Sequence, residues 1–152
     1  MSSLLLLLAL ASPAFAVDAQ SSLQEGSQKE IADYLHDLAS DSDPDRLFAA
    51  RVLKGDLARA LATERRAPEG SLPWLDARSL LVELDARLPD ACRVAIRHQN
   101  ATAPCADIYA MLQYRPALPL LVELRAGEQR KPVQRRLDAA IATLTALPEA
   151  PP

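Results

Sequence analysis

The stretch SDSDPDRLFAARVL, Ser40–Leu53, places Asp41, Asp43 and Asp45 at alternate positions and then turns apolar. It has two readings: an oxygen-lined calcium loop, or a polar turn that leads into a helix. A calcium loop that starts at Asp41 requires glycine at its sixth position and glutamate at its twelfth. Arg46 and Val52 stand there, and Pro44 prevents the usual wrap. The turn reading requires less. Asp43 precedes Pro44, so its carboxylate is expected to N-cap a helix, accepting a hydrogen bond from a first-turn N–H worth about 1 kcal/mol. Asp45 adds negative charge near the positive end of the same helix dipole. The turn accounts for more of the residues, and it makes Ser40–Leu53 the junction of two helices.

Outward from this junction, prolines punctuate the chain. Pro44, Pro73, Pro89, Pro104, Pro116 and Pro132 each stand before a segment of good helix formers. Proline suits a first helical turn because the N–H groups there have no intrahelical acceptor. The pattern predicts seven helices. The first is Leu23–Ala39, with Ile31, Leu35 and Leu38 on one face. The second is Pro44–Arg66, with Leu47, Ala50, Leu53, Leu57 and Leu61 in line. The third is Pro73–Leu88, striped by Ala77, Leu81, Leu84 and Leu88. Pro89–His98, Pro104–Gln113 and Pro116–Arg125 follow, with Pro119 tolerated inside a first turn. The last is Pro132–Leu147, with Val133, Leu137, Ala140, Ile141, Leu144 and Leu147 on one face. No segment alternates with period two, and the composition leans on Ala, Leu and Arg with only four glycines. The expected fold class is therefore all-α with essentially no sheet.

Two of these helix pairs look alike. Ile31–Leu57 and Ala117–Leu144 each have a short Leu-rich helix, a polar turn and a longer Ala-rich helix that begins near a proline. This resembles the HEAT-type helical repeats, in which an Asp-rich turn leads into a helix patterned with Arg, Ala and Leu. Arg46, Ala49, Ala50 and Leu53 carry that pattern in the first pair. Val133, Ala139, Ala140 and Ile141 carry it in the second, where Asp138 interrupts it. Residues 71–113 depart from it. The resemblance implies stacked hairpins and protein binding or scaffolding, with no catalysis of its own. An irregular helical bundle is the other architecture that the periodicity allows.

The N-terminus reads MSSLLLLLALASPAFA. An apolar run at Leu4–Ala11, too short to span a bilayer, is broken by Pro13 and followed by Ala14-Phe15-Ala16. That order is expected of a secretory signal cleaved after Ala16, although only the α-amino group supplies positive charge ahead of the run. The expected organisation is a signal over residues 1–16, a single helical domain over 17–147 and a disordered Pro-rich tail over 148–152. The composition suggests a bacterial gene, hence a periplasmic or extracellular destination. A formal charge of −3 with interspersed acids and arginines gives no electrostatic case for nucleic acid. No further apolar run is long enough to cross a membrane. The expected state is a monomer whose partner is another protein.

Cys92 and Cys105 are the only cysteines. In an exported chain an even count favours a disulfide, and Cys92–Cys105 is the expected bridge. His36 and His98 are the only histidines. His36, beside Asp37 and one turn from Asp33, reads as part of a solvated ion pair, and Glu83 and Asp85 point in different directions on a helix. Asn100-Ala101-Thr102 has the form of a glycosylation sequon, read as chance in a bacterial chain. No phosphate loop, zinc-protease motif or nucleophile elbow is found, so no catalytic residue, metal site or cofactor is expected. The candidate binding surface is Trp74, Arg97, His98, Asn100, Tyr109, Tyr114 and Arg115, because scarce aromatics and polar clusters often anchor interfaces. The functional expectation is an exported protein-binding or adaptor module without catalysis. The alternative is an inhibitor or immunity-type protein dedicated to one enzyme. N-terminal sequencing of the exported chain should read from Val17; a chain that still begins at Met1 would remove the secretory reading.

Overall fold

A computed structural model describes residues 30–148. The expected signal at 1–16, the first part of the first expected helix and residues 149–152 lie outside the described residues. Backbone packing separates Met1–Ala32 from Asp33–Pro152. Of the former only 30–32 are described, and they are helical. Among the described residues the elements are α1 (30–38), α2 (Asp43–Arg66), α3 (Leu72–Ala95), α4 (Thr102–Met111), a 3-10 turn (Arg115–Ala117), α5 (Leu118–Gly127) and α6 (Lys131–Thr145). There is no strand among them. The architecture is an irregular helical bundle.

The turn between α1 and α2 falls where the aspartates predict it, but Asp43 does not cap. Ser42 occupies the N-cap position without a side-chain bond, and Asp43 is the first helical residue. A guanidinium competes for its carboxylate. Arg46 Nη1 donates to Asp43 Oδ1 at 2.5 Å, and Nη2 donates to the Ser40 carbonyl at 2.6 Å. Asn100, from the loop before α4, donates through Nδ2 to the Asp43 carbonyl at 2.6 Å and offers Oδ1 to Arg46 at 3.5 Å. Arg46 is only 1% exposed. A charged donor taken out of water binds a carboxylate more strongly than a backbone amide does, which is why the cap gives way. Behind this cluster α2 buries Ala49, Ala50, Leu53, Leu57 and Ala60 along one stripe.

A tight turn reverses the chain between α2 and α3. Ser71 N–H donates to the Pro68 carbonyl at 3.0 Å, and Gly70 has φ 78, the left-handed angle that a type II turn needs at its third residue.

The separate helices expected over Pro73–Leu88 and Pro89–His98 are one helix. Pro89 lies inside α3, where it removes one backbone donor at a cost of about 3 kcal/mol. The helix continues because Leu84, Leu88, Cys92 and Ala95 form one buried stripe in unbroken register across the proline. Breaking there would turn the last two away from the core. Tyr109 on α4 also donates its hydroxyl to the Pro89 carbonyl at 2.9 Å.

Helix α4 is the centre of the bundle. It packs against α2, α3 and α6, while α2 also packs on α3 and α5 on α6. Thr102, Pro104, Cys105, Ala106, Ile108 and Tyr109 are all buried, as expected of a helix with neighbours on several sides. Its one charged side chain, Asp107, binds Lys54 of α2 at 3.0 Å and Arg136 of α6 at 3.4 Å. The helix stops in a Schellman motif: Tyr114 N–H donates to the Tyr109 carbonyl at 3.0 Å, Gln113 N–H to the Ala110 carbonyl at 3.2 Å, and Gln113 has φ 54. Beyond it, Pro116 starts a 3-10 turn rather than the expected α-helix, and Pro119 falls in the first turn of α5.

The polar cluster and the helix stop can both be tested by stability. Arg46→Ala should lower the unfolding free energy by about 3 kcal/mol in urea titrations, since it removes a buried side chain and strands its acceptors. Asp43→Ala should cost under about 1 kcal/mol, because that carboxylate is 75% exposed. Equal losses would show that Arg46 does not organise the turn. Gln113→Gly should stabilise by about 1 kcal/mol, by relieving a left-handed angle that favours glycine.

Candidate functional site

Helix α3 has two apolar faces. Ala77, Leu84, Leu88, Cys92 and Ala95 face the core. On the opposite side Leu72, Leu75, Ser79, Val82 and Ala86 recur at spacings of three and four, and all are exposed. Leu72 and Val82 are each 64% exposed and Leu75 is 47%. A helix that needed only to close the core would carry polar residues there. Asp76, Glu83 and Asp90 run along one edge of this outer face at seven-residue spacing, and Asp85 lies on the other. Glu83 takes Arg87 at 2.9 Å, and Arg78 reaches across to Glu64 of α2 at 2.5 Å. Trp74 is half-buried in the first turn of α3, with the Arg78 guanidinium 5.9 Å from its ring centroid.

The surface expected from the scarce aromatics and polar residues is largely used to hold the fold. Tyr109 does not lie on that surface: it is 1% exposed, and its ring stacks on Tyr114 at 5.7 Å while its hydroxyl donates to the Pro89 carbonyl. Burial, with the neighbouring Cys92 next, raises the Tyr109 pKa above the usual phenol range. Asn100 is committed to Asp43 and Arg46. Arg115 donates to the Leu147 carbonyl at 3.2 Å, joining the 3-10 turn to the chain beyond α6. Arg97 and His98 are exposed, in a loop closed by Ala101 N–H and the Thr102 hydroxyl, both donating to the His98 carbonyl. Among the described residues no ring contact joins Trp74 to Tyr109 or Tyr114.

The expected Cys92–Cys105 disulfide is not formed. Both residues are free thiols, and both are fully buried. The continuity of α3 past Pro89 sets Cys92 in its last turn, where it meets the first turn of α4 as a hydrogen-bonded thiol rather than a bonded sulfur. Donation of that hydrogen bond by the Cys105 thiol to Cys92, and then burial, raise the Cys105 pKa well above the ordinary thiol value. Cys105 is therefore held protonated, and both side chains serve as core packing.

An open cleft of about 570 Å³ is lined by Arg97, Gln99, Thr102, Glu123, Glu128 and Arg130 among others. Arg130 grips Glu128 through Nε at 2.9 Å and Nη2 at 2.6 Å. This fork, with the Arg130 backbone N–H, holds the Glu128 carboxyl at a pKa of about 2. A general acid at neutral pH needs the opposite shift. Among the described residues no group of three or more His, Cys, Asp or Glu is placed to hold a metal, and no helix is long and apolar enough to cross a membrane. No family model, curated protein or solved structure matches this chain. The HEAT likeness thus rests on the sequence pattern of the two helix pairs alone, and the architecture shown is an all-helical bundle.

The outer stripe of α3 is not among the site residues that the sequence suggests. Its signal is nonetheless there, in the spacing of Leu72, Leu75 and Val82 alongside the core stripe.

Two measurements check this chemistry. Ellman's reagent should find no reactive thiol in the native chain and two after denaturation; immediate reaction with either native thiol would contradict their burial. The Glu128 carboxyl should titrate by NMR near pH 2. Its folded pKa lies below its unfolded one, so the stability it supplies is whole above about pH 4.5 and is lost as the pH falls through 2. Glu128→Gln should remove that part of the acid dependence and leave the neutral-pH fold intact.

Proposed function

We propose that this chain is an exported, all-α protein-binding or adaptor module that works by stoichiometric docking on the outer face of α3. The observation that carries the reading is the exposed row Leu72, Leu75 and Val82 on a helix whose opposite face already fills the core. Apolar side chains gathered on one exposed surface mark interaction sites, whereas scattered ones need no explanation. Each large apolar side chain covered by a partner would contribute about 1.5–3 kcal/mol. Trp74 and Arg78 at the start of the same helix are residue types enriched among interface anchors. The apolar run and Ala14-Phe15-Ala16 support export.

The test is site-specific photo-crosslinking in the exporting cell. A photoreactive residue at Val82 should give one discrete adduct with another protein, and the same residue at exposed Ala139 on α6 should not. Adducts of equal yield at both positions, or none at Val82, would overturn the reading.

A further inference from the structure

We infer that the outer face of α3 receives an amphipathic helix of another protein, one whose apolar seam is bordered by lysine or arginine. The inference rests on the docking role proposed above and specifies the partner. The face is a seam with a 3-4-3-4 rhythm from Leu72 to Ala86, the spacing that keeps two helices in register along their length. At 1.5 Å per residue it runs for about 21 Å, enough for roughly four turns of a partner helix. The small side chains of Ser79 and Ala86 alternate with Leu75 and Val82, leaving holes between knobs. An extended strand, with its period of two, would not follow such a row.

The charges at the border select the partner. Asp76, Glu83 and Asp90 occupy successive equivalent positions on one edge, and Asp85 lies on the other. The arginines nearby are already engaged: Arg78 by Glu64, Arg87 by Glu83, and Arg93 by Asp90 at 3.6 Å. Asp76 and Asp85 have no ion-pair partner among the described residues and are exposed. A second copy of the chain fits poorly. In a pair of copies neither unpaired acid, Asp76 or Asp85, would meet a free cation, since Arg78, Arg87 and Arg93 are already held by Glu64, Glu83 and Asp90, so the residual charge of the two faces is repulsive. An anionic membrane surface would meet the same repulsion. A helix with basic flanks meets opposite charge on both edges.

Two four-turn peptides with one shared Leu/Ala seam, bearing either Lys or Glu at the flanking positions, provide the probes. Binding to the full chain is read by fluorescence anisotropy. The Lys peptide should bind about tenfold more tightly than the Glu peptide, and the gap should close in 1 M salt, where the screening length falls to about 3 Å. The triple reversal Asp76→Lys, Glu83→Lys, Asp90→Lys should invert the preference, and Val82→Asp should abolish binding of both peptides with the circular dichroism unchanged. Equal binding of the two peptides, or binding of neither, would overturn the inference, while the Val82 crosslink tests the docking role independently. A dimer in sedimentation that Val82→Asp dissolves would assign the face to a second copy. Capture on anionic vesicles, lost in Val82→Asp, would assign it to a membrane; either result overturns the inference.

Discussion

The guanidinium of Arg46 is the constraint on which the arrangement of helices depends. Taken out of water, a permanent cation must be surrounded by acceptors or it destabilises the fold. The acceptors come from three places: the Ser40 carbonyl just after α1, the Asp43 carboxylate at the start of α2, and Asn100 in the loop that delivers α4. The two terminal nitrogens of one side chain, whose buried Nε has no partner, therefore tie the turn before α2 to the loop that enters the central helix. Once α4 is seated, the packing of α2, α3 and α6 around it follows, with Asp107 joining α2 and α6 through Lys54 and Arg136.

Much of this is legible in the sequence because apolar periodicity survives translation into burial. Leu53 and Leu57 on α2, Leu84 and Leu88 on α3, and Leu137 and Leu144 on α6 are all buried, as their spacing predicts. The departures have a common origin, since in each a local rule yields to the burial that the packed fold imposes. Pro89 has the look of a helix start, yet the register of Leu88, Cys92 and Ala95 runs through it without a phase break. Asp43 has the look of a cap, yet a buried arginine three residues on takes its carboxylate. The cysteine count points to a bridge, yet two packed helices hold the sulfurs as adjacent thiols.

The candidate binding surface is less legible, for a related reason. Scarcity of aromatic residues draws attention to Tyr109, but in a core built of Leu and Ala a scarce large ring is as useful inside as outside. Asn100 reads as uncommitted because the acceptor and donor it meets lie more than fifty residues earlier in the chain. The outer stripe of α3 is masked by the inner one, because a search for one apolar face stops at the first.

The unlinked thiols have a consequence in time. No covalent bond has to form before the core can close, and consecutive helices, α2 with α3 and α5 with α6, pack directly on one another. Helical chains dominated by such neighbour contacts reach the native state in microseconds to milliseconds. Under the export proposed above, passage across a membrane in an unfolded form would be a race against the chain's own collapse, and an export machinery would have to engage the chain while it is still being made.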